Sequence, residues 1–392
     1  MNILLIHNRY LFAGGEEEVL RSEAKMLEMK GHRVYIYERS NEELSQKNLL
    51  GKIVFVGRDL LFASKTYQDI NHIVKEFKPD IAHLHNLFYM MSPSLLVALA
   101  KHRIPLVQTL HNYRYLCAAG TFFRNGKICE ECLTSSRAKS LTYRCFKNSF
   151  MHTWFLKRLI DRLWSGDYLR KYVKRFIALS QFSRQKFISN GFDAAQVTVK
   201  SNFLSDDPGV GIVKEKYALY VGTMQPYKGV MTLLKAWQRF PDNYQLKLVG
   251  DGPLLEQLKA FNQHPGVSFL GRCGQTQVLD LMRHSSVVVL PSECYENFPR
   301  VIVEAYACAT PVIASRIGAI TELIDEGKTG FLFEPGNDIS LHAAIKKLLT
   351  DKDLVTTIGQ HARLMFEQRY SMQVNYEQLM TIYRDAMKGN DS

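Results

Sequence analysis

Short apolar runs alternate with longer amphipathic stretches along nearly the whole chain. Strand-like runs are Ile3–Ile6, Val34–Tyr37, Ile81–His83, Leu106–Thr109 and Phe176–Leu179. A second series follows: Leu219–Val221, Leu246–Val249, Val267–Leu270, Val287–Leu290 and Val312–Ala314. Helical spacing fills the intervals, as in Glu16–Lys30, Val230–Arg239, Leu254–Phe261 and Val301–Cys308. Strand followed by helix, repeated, predicts a parallel sheet with helices on both faces. Because the series occurs twice, the expected fold is α/β, with two doubly wound Rossmann-like domains facing across a cleft. The first would span 1–205 and the second 206–370, divided where Asp206-Asp207-Pro208-Gly209 breaks the pattern. The stretch from Asp351 to Met387 reads as two helices, and the last segment, 371–392, is expected to return to the N-terminal domain. Open parallel sheets bind ligands at the carboxyl ends of their strands, so the site is expected there.

Composition adds two constraints. With 46% apolar and 22% charged residues in 392, the chain is an ordinary globular one, which excludes disorder, collagen and coiled coil as its main character. No apolar run approaches the roughly 20 residues that span a bilayer, and no basic leader precedes Ile3–Ile6, so a cytoplasmic protein is expected. Seven cysteines do not make a disulfide framework. The net charge of +12 is uneven: Arg137 to Arg175 holds eleven Lys or Arg against two Asp, leaving +3 for the rest. Such a patch looks for a membrane surface, a nucleic acid or a phosphorylated substrate. Within it Phe150, Trp154, Phe155 and Leu159 recur at helical spacing, with Lys157, Arg158 and Arg162 between them. That is a basic amphipathic helix. It either lies on anionic lipid or packs its aromatic side inward.

The richest candidate chemistry lies in Pro291–Ala305, which leaves a strand and opens a helix. Pro299 suits the first helical turn, and the N–H groups of Phe298–Val301 would then be free to bind phosphate. Glu296 and Glu304 are separated by seven residues, so one carboxylate can touch a reacting group while the other holds ribose hydroxyls. The plainer alternative makes Glu296 a dipole partner and Glu304 a surface charge. His83 and His85 alternate onto one strand face, a pair better read as lining or packing residues than as metal ligands. Asp351-Lys352-Asp353 is best read as acidic residues at a helix start rather than a metal site. Cys117, Cys129, Cys132 and Cys145 contain a C-x(2)-C pair, which could hold a structural zinc or remain four unligated thiols. Cys273, Cys294 and Cys308 read as packing residues.

The run from Pro291 to Ser315 resembles the signature of the family-four glycosyltransferases, which are retaining enzymes of the GT-B fold. The resemblance extends through Gly14-Gly15, Tyr220-Val221-Gly222 with Lys228-Gly229, Leu248–Pro253 and Phe269–Arg272, in family order. It implies a nucleoside-diphosphate-sugar donor and transfer without a catalytic metal or other cofactor. Glu296 would contact the donor sugar, Glu304 the ribose, Lys228 the diphosphate, and His111 the sugar. Gly14 and Gly15 would let backbone approach phosphate, and backbone at Leu270, Gly271 and Arg272 would hold the base. Thr223 stands where the family usually has Arg, removing one of two diphosphate cations, and Arg300 is the candidate replacement. Asn297-Phe298-Pro299 replaces a more glycine-rich loop in the donor site.

The function expected is sugar transfer to a glycan or lipid-linked acceptor in cell-surface polysaccharide synthesis, with the basic segment on the inner membrane leaflet. The rivals are a GT-B enzyme acting on a soluble small molecule and a nucleic-acid-binding protein. No nucleic-acid module is visible, so no nucleic-acid partner is expected.

Overall fold

The computed structural model describes residues 1–10, 14–46, 48, 58–59, 61–211 and 213–388. These form two compact units. The first comprises Met1–Thr121, Glu130–Ser205 and the chain from Asn375 onward; the second comprises Phe122–Cys129 and Asp206–Val374.

The first unit contains β1 (Asn2–Arg9), β2 (Arg33–Ser40), β3 (Ile81–Asn86) and β4 (Leu106–Thr109). A two-stranded antiparallel hairpin follows, β5 (Phe123–Arg124) and β6 (Lys127–Ile128), which belongs to the second unit. The first unit then resumes with β7 (Arg175–Ala178) and β8 (Val197–Val199). Its sheet is parallel throughout, in the order β2-β1-β3-β4-β7-β8. The second unit's sheet has β9 (Glu215–Val221), β10 (Gln245–Val249), β11 (Val267–Gly271), β12 (Ser285–Leu290), β13 (Val312–Ser315) and β14 (Gly330–Phe333). Its order is β11-β10-β9-β12-β13-β14, again all parallel.

Both sheets are doubly wound, and this explains their composition. Ile3, Leu4, Leu5 and Ile6 are all fully buried, because helices cover both faces of a central parallel strand. Val287–Leu290 repeats the pattern in the second unit. The strands absent from the apolar pattern, β8 and β14, lie at sheet edges. β8 has three residues, and β14 opens on Gly330, where a Cβ would collide with the Val312 carbonyl. Neither offers a long apolar run to read.

Each sheet reverses its strand order once, between β1 and β3 and between β9 and β12. These reversals are where an open α/β sheet leaves a crevice at its strand ends. The register shifts between Ile6 and His7 against β3, and between Leu248 and Val249 against β11, both near the carboxyl ends. Bulges of this kind re-aim side chains beside functional sites.

Helices Lys352–Met365 and Met372–Lys388 are joined by a π-helical turn, Phe366–Tyr370. Asp351 caps the former by accepting the Leu354 N–H at 2.9 Å. The last helix buries Leu379, Ile382, Tyr383 and Ala386 within the first unit. Among the described residues no helix is long and apolar enough to cross a membrane.

Candidate functional site

In the second unit, the loops that leave β9 and β12 meet at the strand-order reversal. β9 runs into Gly222 and Thr223, then into a 3-10 turn, Pro226–Lys228. Gly229 has φ 67°, and a Cβ there would lie 1.8 Å from the Pro291 carbonyl oxygen. Only glycine allows this backbone to touch the start of the β12 loop. The contact fixes Lys228 beside Glu296, and the ammonium donates to Glu296 Oε1. Ser292 donates to the same oxygen at 2.7 Å. Burial alone would raise the Glu296 carboxyl, but Lys228 and Ser292 together hold it below the ordinary value. Burial likewise opposes the Lys228 charge, and Glu296 more than compensates, so the ammonium is retained.

The neighbouring loops are strapped to this pair by main-chain bonds. Gly222 N–H donates to Val249, Met224 N–H to Asp251, and Gly250 N–H to Gly271. Gly271 takes φ 68° and Arg272 reaches Asp251 at 3.4 Å, with its side chain largely in solvent. Thr223 is exposed, and its carbonyl accepts the Tyr220 hydroxyl at 2.8 Å.

The helix after β12 spans Arg300–Ala307 and has no side-chain cap. Pro299 is therefore the N-cap residue and not the first helical one, because its ψ of 103° is extended. The uncapped N–H groups at the helix start remain available to an anion. Asn297 and Phe298 are buried just before it. The two signature carboxylates part company: Glu296 sits in the loop with Lys228, while Glu304 on the helix lies 3.5 Å from Arg300. Arg300 is thus tied to another candidate donor-binding residue.

In the first unit, the ends of β1, β3 and β4 converge. Gly14 is the N-cap of helix Gly15–Met29, and neither glycine would bring a Cβ within 4 Å of a described atom. Glu16 follows, accepting from Asn86 at 3.3 Å and from Asn112 at 3.5 Å. Burial raises its carboxyl to about 7, against the opposing pull of Arg114. Because the folded value exceeds the ordinary one, this group's stability contribution is complete below pH 4.5 and is lost as pH rises through about 7. Glu16→Gln is expected to raise stability at pH 8, by up to about 3 kcal/mol, and to match the natural chain near pH 5; thermal melts at the two pH values measure this.

His111, beyond β4, is partly exposed, and its Nε2 lies 2.9 Å from His85 Nδ1 with the rings stacked. Burial, then His85, presses its pKa well below the usual histidine value. His83 and His85 are both buried, and Glu23 joins them in the only group of three potential metal ligands among the described residues. The Lys200 ammonium, 2.8 Å from Glu23, and the two hydrogen bonds already made by His83 make that group a poor cation site. Glu23, Lys200 and Glu16 escape a reading of motifs. Glu23 does leave one trace: a charge among Val19, Leu20, Ala24 and Leu27, on the apolar stripe of its helix.

The cysteines and the basic helix are two features with alternative readings. The four cysteines, all reduced, do not gather as zinc ligands: no three sulfurs among the described residues come within ligand distance. In the hairpin, Phe122 and Phe123 pack on Tyr295 and Tyr227. The basic helix, Phe150–Ser165, also divides differently. Thr153, Leu156, Leu159, Ile160 and Leu163 face the core; Phe150, Met151 and Trp154 are exposed, and Arg158 lies over the Trp154 ring. Leu159 is thus on the packing face, not with the exposed aromatics.

Two family models match, in tandem. Residues 13–207 match "Glycosyltransferase Family 4" and residues 206–365 match "Glycosyl transferases group 1". An uncharacterized 42.6 kDa protein of the Klebsiella pneumoniae cps region is 26% identical over 359 residues, 82% of this chain and 87% of the relative. For other curated relatives the chain spans about half their length, 60% in one case and 46% in another. Among solved structures, sucrose-phosphate synthase from Thermosynechococcus elongatus superposes with TM-score 0.73 at 19% identity, covering 99% of both chains. Anabaena HepE, solved in complex with UDP, gives 0.66 at 22% identity over 97% of this chain and 99% of its own. At these identities the two structures speak to the fold.

Proposed function

This chain belongs to the family-four glycosyltransferases of the GT-B fold, and on that premise we propose that it transfers a sugar, with retention and without a divalent metal, from a nucleoside diphosphate to a glycan or lipid-linked acceptor of a cell-surface polysaccharide. The observation that carries the donor half is the Lys228–Glu296 pair at the strand-order reversal, on the unit that also holds the uncapped helix start at Arg300. As the sugar–phosphate bond loosens, charge grows on the departing diphosphate. A fixed ammonium and aligned N–H dipoles stabilise that charge as it forms. Glu296 meets the donor sugar, Glu304 the ribose and His111 the sugar hydroxyls. Backbone near Gly271 and Arg272 holds the base, and Gly14 and Gly15 leave room for phosphate. The likeness to HepE, solved with UDP, supports a uridine nucleotide among the donors to be tried first.

A thermal-shift screen against a nucleotide-sugar panel tests this, since a ligand of the folded state raises its melting temperature. Diphosphate sugars are expected to stabilise the protein and free nucleosides are not. A flat response across the panel refutes the donor assignment. Turnover that persists in a chelator is the expected mark of a metal-free reaction.

The acceptor half rests on the cps-region relative and on the exposed Phe150, Met151 and Trp154 beside a basic segment. Apolar side chains ringed by cations are suited to an anionic bilayer surface. Flotation with vesicles is expected to recover the protein when anionic lipid is present and to leave it in solution without it. Equal recovery from both removes the membrane from the proposal.

A further inference from the structure

A buried chain of polar groups runs through the first unit to His111. It begins at Lys200, which is 1% exposed and whose ammonium donates to Glu23 Oε1 at 2.8 Å and to Asn375 Oδ1 at 3.0 Å. The other Glu23 oxygen, Oε2, lies 3.3 Å from His85 Nε2 and 3.5 Å from His83 Nδ1. His83 Nδ1 is already engaged by the Tyr383 hydroxyl at 2.8 Å, and His83 Nε2 by Thr109 at 2.8 Å. Glu23 Oε2 and His85 Nε2 are both buried, and neither makes a well-formed hydrogen bond to any group. Buried polar atoms are almost always paired, so these two are partners for each other. His85 Nδ1 then meets His111 Nε2 at 2.9 Å.

The direction of the protons in this chain follows from its charged end and from neutral rings beyond it. An ammonium can only donate and an ionised carboxylate can only accept. Burial would raise the Glu23 carboxyl, but Lys200, with help from His85 and His83, holds it well below the ordinary value, so it is ionised. His85 must therefore present Nε2–H to Glu23. A neutral imidazole has one donor and one acceptor, so with His85 in that form its Nδ1 is the acceptor and His111 Nε2–H is its donor. Burial and then His85 hold His111 well below the usual histidine value, so that ring is neutral and its Nδ1 carries the lone pair. The charged and titratable groups around it are His85, Glu23, His7 and His83; burial and His85 keep His7 neutral, and Lys200 cancels Glu23.

We infer that Glu23 and His85 are positioning residues that lock His111 in the Nε2–H tautomer, so that His111 offers an accepting Nδ1 to a hydroxyl of the bound sugar. The sugar contact rests on the transferase reading of His111; the tautomer lock does not. A carbohydrate hydroxyl is the substrate group that can donate to such a nitrogen, and an O-methylated sugar at the same position cannot.

The test uses the full chain with 15N-labelled histidine and reads the protonated nitrogen of each ring from two-bond proton–nitrogen correlations. The natural protein is expected to show His85 and His111 both as Nε2–H. In Glu23→Gln the Lys200 ammonium takes the amide oxygen, and the amide N–H₂ turns to His85 Nε2. Both rings are then forced into the Nδ1–H form. Turnover per bound donor is expected to fall about tenfold, the size of one correctly directed hydrogen bond, with nucleoside diphosphate binding unchanged. A natural protein with the His111 proton on Nδ1 overturns the inference, and that measurement needs no variant. Unchanged tautomers in Glu23→Gln overturn it too. Inverted tautomers with undiminished turnover overturn the sugar contact. A natural protein that binds no nucleotide sugar fails the transferase reading instead, and the tautomer result stands apart from it.

Discussion

Lys228→Ala is expected to lower turnover by about 10²–10³-fold and to abolish the melting shift caused by a nucleotide sugar, because it removes a fixed cation from the site of developing charge. Glu296→Gln separates binding from transfer. The Lys228 ammonium donates to Glu296, and a diphosphate must compete with that carboxylate for it. Without that carboxylate charge the ammonium is free for phosphate, so nucleoside diphosphate affinity is expected to hold or rise. Transfer is expected to fall, because in the proposed function Glu296 is the group that meets the sugar, and it has lost its charge. Calorimetric titration with the diphosphate and a steady-state assay with the sugar donor give the two readings. Loss of diphosphate affinity in Glu296→Gln would contradict this division of labour. Arg300→Ala belongs in the same series. Arg300 lies against Glu304, and if its removal leaves donor affinity intact while Lys228→Ala does not, it does not replace the cation missing at Thr223.

The second large effect is on stability. Lys200→Met is expected to destabilise the protein by about 3–5 kcal/mol near pH 7, the usual cost of leaving one member of a buried ion pair alone. Lys200 and Glu23 are each 1% exposed at the side chain, so solvent cannot screen the orphaned carboxylate. The pH dependence changes sign with the mutation. In the natural chain the depressed Glu23 value gives stability that is present above about pH 4.5 and is lost only as pH falls through the folded value. In Lys200→Met burial has no counter-ion, the folded value rises above the ordinary one, and stability is lost as pH increases through it. The deficit is therefore expected to shrink toward pH 5. Denaturant melts at pH 5 and 7 measure it, and a deficit that is equal at both would show that Glu23 does not carry the cost.

The two large effects differ in how far they can be foreseen from residues alone. Lys228, Glu296 and Glu304 stand in motifs whose order along the chain points to their chemistry. Lys200 belongs to no motif, follows a three-residue edge strand, and reads as one more surface lysine. Glu16 shows the intermediate case. It stands beside Gly14-Gly15, so its neighbourhood was legible, but its raised carboxyl depends on burial among Asn86, Asn112 and Arg114, brought from two other strand ends.

The amino-acid sequence by itself determined the two parallel sheets, because strands buried on both faces must be continuously apolar and the helices between them must be amphipathic. It also determined the local turn chemistry, such as the glycine after Lys228 that lets two loops touch. Tertiary structure alone decided which charges face each other. Glu23 meets Lys200 across 177 positions, and Lys228 meets Glu296 across 68. Periodicity reports which face of an element is buried; it carries no information about which polar group waits inside, because that partner arrives on a different strand or helix and its energy depends on the water excluded around both.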